Sequence, residues 1–371
     1  MTTALNDAAY ALEPRYLALL ETLVGLESPT LGKPRVDLLV TQLDALLHER
    51  SWVTERHVQA AVGDMLVARK TAAAGPKSLL LAHCDTVWAQ GTLADMPFRR
   101  DGDKVYGPGI LDMKAGIVTA LEAVALVEAS GAPLRGPVTL LISSDEEMGS
   151  THSRALIEAL AQEHDRVFVM EPGRDDGALK VGRKGVGDFE VSFLGRSAHA
   201  GNNPELGASA LRELAHFLLF SESLSDEGAQ TSVNLTVAQG GSVGNVIAER
   251  ASARIDFRVL SLPEAARVEN AVRGYVPRDN RVSVTVEGGL NRPPLEPTAK
   301  NLTLFSEAKL AQPGLEGAVV GGGSDGNFTS ALGIPTLDGL GSVGEGPHAR
   351  HEHIRVRATL ERVALLAGLL G

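Results

Sequence analysis

Three short apolar runs that each stop on a side chain able to bind metal constrain this chain more than any other feature. Leu79 to Ala82 runs into His83 and Asp85, Pro137 to Ile142 into Asp145-Glu146-Glu147, and Val167 to Met170 into Glu171. Apolar runs of this length suit strands buried on both faces of a parallel sheet. In open α/β sheets, ligands collect at the carboxyl ends of such strands. His83 and Asp85 share one face of an extended segment, and a carboxylate beside an imidazole orients a metal ligand or a general base. Each instance has a plainer reading, a strand-end histidine or a solvated acidic turn. Their recurrence at equivalent places is what weighs against chance.

The length of 371 residues predicts two domains. A net charge of −11 argues against nucleic-acid and anionic-membrane partners, which reward clustered Lys and Arg. Cys84 is the single cysteine, so no intrachain disulfide forms and a reducing compartment is expected. The first residues lack the basic start and apolar core of a signal peptide, and no apolar stretch approaches a membrane span. The expected location is the cytoplasm.

Apolar positions recur at helical spacing over Tyr16–Val24 and Val36–Leu47, with strands near Trp52–Val58 and Met65–Ala68. The glycine-rich loop Gly107–Gly116 places Asp112 at or just before a helix N-terminus, where capping is the plain alternative role. From about Val181 the pattern becomes strand (Val186–Leu194), helix (Pro204–Phe220), strands (Ser232–Ala238 and Ala251–Leu260), helix (Pro263–Arg273) and strand (Val282–Glu287). That order is the split βαβ arrangement of ferredoxin-like folds. The expected architecture is therefore an α/β catalytic domain on a mostly parallel sheet, residues 1–180 and 295–371, interrupted by an inserted ferredoxin-like α+β domain, residues 181–294. A helix over Val356–Leu370 closes the chain.

His83, Asp112, Glu147, Glu171 and one of the terminal histidines supply two imidazoles and three carboxylates. Zinc takes such ligands, and two zinc ions about 3.5–4 Å apart form a hydrolytic clamp in many aminopeptidases. One carboxylate must then bridge the pair. Asp112 is the candidate, with His83 and Glu171 on one ion and Glu147 and His348 on the other.

The motifs His83-Cys84-Asp85-Thr86-Val87, Gly107–Gly116, Asp145–Ser150, Glu171-Pro172, Ser197–Gly201 and Pro204–Gly207, with His348 four residues before Glu352, occur in this order. In these the chain resembles the di-zinc amidohydrolase family of glutamate carboxypeptidase, aminoacylase and succinyl-diaminopimelate desuccinylase. The resemblance implies that the five residues above hold two zinc ions, that Glu146 is the general base, and that Asp85 backs His83. It further implies that His199 reaches the partner subunit's site in a homodimer built through the inserted domain, and stabilises the oxyanion there. Asn245 is similar to the family's other polar contributor, and Arg292 to an arginine that grips a substrate carboxylate. Arg292 also reads as a plain surface arginine near the domain junction. His351 and His353 read as surface or supporting residues, and His48, His57, His152, His164 and His216 as structural or exposed. The implied activity is zinc-dependent cleavage of the amide of an N-acyl or peptidyl amino acid with a free carboxylate. Glu171 resembles the carboxypeptidase and deacylase branches more than the tripeptidase branch, and the motifs around His199 are similar to glutamate carboxypeptidase; an aminoacylase or desuccinylase is the alternative.

Overall fold

A computed structural model describes residues 2–72 and 74–371. Two compact units emerge, one of residues 1–182, 297–320 and 324–371, the other of residues 183–296 and 321–323. The three glycines Gly321–Gly323 go with the second unit.

The first unit is built on a six-stranded sheet in the spatial order Val53–His57, Met65–Lys70, Val138–Ser143, Ser78–His83, Arg166–Val169, Thr336–Leu337. The last four run parallel to one another, and Met65–Lys70 runs antiparallel to both its neighbours. Ser78–His83 lies centrally and is buried throughout. Its alternate residues feed different cores. Leu80 and Ala82 pack with the helices Glu13–Gly25, Lys33–Glu49, Ala115–Ala129 and Val356–Leu370. Leu79 and Leu81 pack with Ile157, Leu160 and Phe328 on the other face. Burial on both sides is why this strand is apolar without alternation. Helix Ala115–Ala129 is buried at twelve of its fifteen positions, so it too lacks a polar face.

Glycine brings that helix close to the sheet. A Cβ on Gly116 would lie 2.0 Å from the Met170 carbonyl oxygen, and one on Gly341 would lie 1.8 Å from the same atom. No larger residue fits at either position, and Met170 immediately precedes Glu171.

The second unit is an antiparallel sheet in the order Ser232–Gly240, Arg250–Val259, Gly185–Leu194, Ser283–Arg292. In chain order this is 2-3-1-4, the ferredoxin-like arrangement. Phe189, Val191 and Phe193 project from one face onto Phe217, Val268 and Val272 of the helices Ala210–Glu222 and Leu262–Arg273. The helix expected from Pro204 starts instead at Ala210. Pro204–Leu206 is a separate short turn, and Ser209 caps the helix by accepting the Arg212 N–H.

Candidate metal centre

The carboxyl ends of the parallel strands lie together, with His83 opposite Ser143 in register. Glu171 follows its strand by two residues, and Glu146 and Glu147 follow theirs within four. An extended path through the acidic triplet would have turned Glu146 and Glu147 to opposite sides by strand alternation. The structure differs: the strand stops at Ser143, and Glu146–Met148 form a tight helical turn. Two backbone N–H groups of that turn, from Glu146 and Glu147, donate to the Asp85 carboxylate at 3.3 Å each.

Asp112 is not a helix cap. It lies in the irregular turn Ile110–Lys114, with φ −117° and ψ 92°, and the regular helix begins only at Ala115. Its two carboxylate oxygens face different imidazoles. Oδ1 is 3.1 Å from His83 Nε2, and Oδ2 is 3.3 Å from His348 Nε2. His83 Nε2 also lies 3.5 Å from Glu171 Oε1, and His348 Nε2 lies 3.1 Å from Glu147 Oε2. All five side chains expected to hold metal thus converge, with Asp112 between the two histidines. Glu146 joins them, since one ligand atom each of His83, Glu146 and Glu171 lies within 4.8 Å of the others. His348 takes a left-handed φ of +60°, uncommon for a non-glycine residue.

Asp85 is fully buried and holds several groups at once. Its Oδ1 lies 3.3 Å from His83 Nδ1, its Oδ2 accepts the Thr30 hydroxyl at 2.8 Å, and its own carbonyl is 3.0 Å from His83 Nδ1. Burial opposes a charge on His83, yet hydrogen bonds to Asp112, Asp85 and Glu171 raise its pKa well above the ordinary value. Hydrogen bonds to Asp112 and Glu147 push His348 up to about 10. Burial resists ionisation of Asp112, but the two histidines hold its carboxyl far below the usual range. Burial is also what raises Glu147.

This donor set suits a metal cation. Glu147 Oε1 is buried and finds no hydrogen-bond partner among the described residues, an expensive state for a carboxylate oxygen unless a cation approaches it. The separations of 3.1–3.5 Å between donor atoms lie close to the edge, about 3.3–3.6 Å, of a tetrahedron whose ligands lie about 2.0–2.2 Å from zinc.

Sequence reasoning used Glu352 only for its distance from His348. Its side chain is buried and accepts hydrogen bonds from Gly109, Leu111 and Asp112 N–H and from the Trp88 indole. Burial pushes its carboxyl up to about 7 against these donors. His353 is buried against Tyr106, with ring centroids 5.1 Å apart, and His351 is exposed. Cys84 is buried, and burial pushes its thiol up to about 12.

Three expected site residues belong to the second unit. His199 is exposed, and its Nδ1 accepts the Gly201 and Asn202 N–H groups at 3.0 Å each, which leaves the ring proton on Nε2. Asn245 is exposed nearby, its carbonyl accepting the Ala200 N–H at 2.9 Å. Arg292 is no surface arginine. It is 5% exposed at the end of its strand, and its aliphatic stem packs at Gly323.

The model of Peptidase family M20/M25/M40 matches residues 79–371. Carboxypeptidase G2 of Pseudomonas sp. (strain RS-16) is 32% identical, the match covering 99% of this chain and 91% of that protein. Succinyl-diaminopimelate desuccinylase of Gluconobacter oxydans is 31% identical over 77% of this chain and 78% of its own length. Among solved structures, the aminopeptidase PepT from Bacillus cereus superposes with a TM-score of 0.77 at 20% identity, covering 96% of this chain and 98% of that one.

Proposed function

The chain belongs to peptidase family M20/M25/M40 and is a hydrolase, and within that family we propose that it is a zinc-dependent enzyme cleaving the amide of an N-acyl or peptidyl amino acid with a free carboxylate. One observation carries the reading: two imidazoles and three carboxylates converge around a buried carboxylate oxygen that has no hydrogen-bond partner among the described residues. His83, Asp112, Glu147, Glu171 and His348 would hold two metal ions, Asp112 presenting one oxygen towards each histidine. Zinc in such a site polarises a carbonyl and makes water acidic enough to deprotonate near neutral pH.

The chain's own residues do the rest. Glu146 takes a proton from the attacking water and returns it to the nitrogen as the amide C–N bond breaks, so that an amine and a carboxylate leave. Asp85 fixes the His83 ring and, through the N–H groups of Glu146 and Glu147, the turn that carries both acids. The Nε2–H of His199, presented to a second copy of the chain, would donate to the oxyanion, with Asn245 beside it. This requires a homodimer through the second unit. Arg292, a planar donor fork, would take the substrate carboxylate. The similarity to a desuccinylase supports an N-deacylase as the second reading.

The test is a screen of N-acyl amino acids and short peptides for amine release, with and without added zinc. Zinc-stimulated turnover of free acids is expected. Arg292→Ala should lower kcat/KM on free acids by about one to two decades and spare the matching amides. Equal losses on acids and amides would refute its role, and no zinc-dependent release from any substrate would refute the reading.

A further inference from the structure

Glu352 has no part in the chemistry above, yet its carboxylate accepts four hydrogen bonds. Oε1 takes the Leu111 N–H at 2.9 Å and the Asp112 N–H at 3.1 Å. Oε2 takes the Gly109 N–H at 3.0 Å and the Trp88 indole N–H at 2.7 Å. Three of the four donors are backbone groups of the loop that carries Asp112. That loop is not regular helix, because neither Asp112 nor Met113 has helical dihedrals. An acceptor from elsewhere in the chain therefore has to satisfy these N–H groups. Glu352 follows His348 by four residues and immediately precedes the short strand His353–Arg355. One buried side chain thus ties the segment bearing His348 to the loop bearing Asp112.

We propose that Glu352 is a positioning residue that holds Asp112 with one carboxylate oxygen towards His83 and the other towards His348, and that Trp88 reports on this arrangement. The inference rests on the metal-hydrolase reading above. An ionised carboxylate has lone pairs for all four donors, whereas an amide has a single acceptor oxygen and turns an NH2 group towards N–H groups. Glu352→Gln, nearly the same in shape, should therefore disturb the loop.

The experiment titrates zinc alone into metal-free protein by calorimetry. Glu352→Gln should weaken zinc binding about 10- to 100-fold, as loss of a ligand's supporting partner commonly does. Trp88→Phe removes one donor and leaves the carboxylate on the backbone, so it should stay within about threefold of the wild type. A merely structural role would lower the melting temperature of Glu352→Gln without moving its zinc affinity. Zinc affinity within twofold of wild type would overturn the proposal whatever the melting temperature. Should Glu352→Gln fail to fold, a second readout is available, because the chain has only two tryptophans. In Trp52→Phe the emission is that of Trp88, and it should change with zinc at the calorimetric midpoint; a flat emission trace overturns the proposal. Wild-type protein that takes up no zinc overturns the metal reading and this inference with it, whereas normal zinc uptake by both proteins overturns this inference alone.

Discussion

Replacing Asp85 with alanine should damage both stability and metal affinity, by amounts the contacts allow to be worked out. The carboxylate is fully buried and accepts three hydrogen bonds: the Thr30 hydroxyl at 2.8 Å and the Glu146 and Glu147 N–H groups at 3.3 Å. Thr30 keeps a partner in the Thr86 carbonyl at 3.2 Å, so its loss is partial. Each lost bond is worth about 1 kcal/mol, and the Thr30 bond counts only in part. The net penalty is then about 2–3 kcal/mol. At roughly 2–4 °C per kcal/mol for a unit of this size, the metal-free protein should melt about 5–10 °C lower. His83 retains the Asp85 carbonyl, but its ring loses the carboxylate 3.3 Å away. Zinc affinity should fall about 10- to 100-fold. Thermal unfolding and zinc calorimetry on the metal-free variant measure both, with Asp85→Asn as a control that keeps one acceptor. A melting temperature within about 1 °C of wild type, with unchanged zinc affinity, would refute the reasoning.

Glu146→Gln should keep its full complement of metal and lose about two to four decades in kcat, since an amide cannot carry the proton; loss of metal, read by elemental analysis, would mean that Glu146 is a ligand. Asp64 gives an acid-stability test, because Lys33, the Gln59 N–H and Arg56 together overcome burial and hold its carboxyl at about 2. A depressed pKa stabilises the fold above the unfolded value near 3.9 and ceases to do so as pH falls towards 2, so Asp64→Asn should cost about 2 kcal/mol at pH 7 and almost nothing near pH 2 in urea unfolding. Glu146→Ala and His199→Ala chains should each be nearly inactive, while a doubly tagged hybrid recovers about half the wild-type activity per dimer. Hybrids as dead as their parents would remove His199 from the partner's site.

The strand ends were legible because burial on both faces leaves an unbroken apolar run, and the polar residue that breaks it marks the sheet's edge. Leu79–Ala82 carried that signal in full, and Val138–Ile142 carried it with Thr139 as its one interruption. The two-residue spacing of His83 and Asp85 also translated directly into contact. The path of the acidic triplet did not. Nothing in Ser143-Ser144-Asp145 signals that the chain will leave the strand, because the turn is held by Asp85, some sixty residues earlier. Glu352 was hidden for a related reason. Three of its four partners are backbone N–H groups some 240 residues away, and a backbone donor leaves no mark in a sequence. In the second unit, helical periodicity from Pro204 overran the true start, since Gly207 and the Ser209 cap separate a short turn from the helix proper.

The charges at the centre lead to one further expectation, about protons. Asp112, Glu147 and Glu171 crowd around two imidazoles, and nearby carboxylates favour the imidazolium form. Hydrogen bonds to Asp112 and Glu147 put His348 at about 10, and those of His83 to Asp112, Asp85 and Glu171 lift it well above its usual value against its burial. These directions predict that without metal at pH 7 both rings are imidazolium and that the two cations partly neutralise the acids. A metal takes the neutral ring, so each histidine must give up its proton as the metal enters. Zinc binding near pH 7 should release about two protons per chain, and the affinity should rise with pH until His348 titrates near 10. Calorimetry in two buffers of different ionisation enthalpy reads the number directly. A heat of binding independent of the buffer would mean that the rings are already neutral, and that the carboxylates around them are held by something other than imidazolium charge.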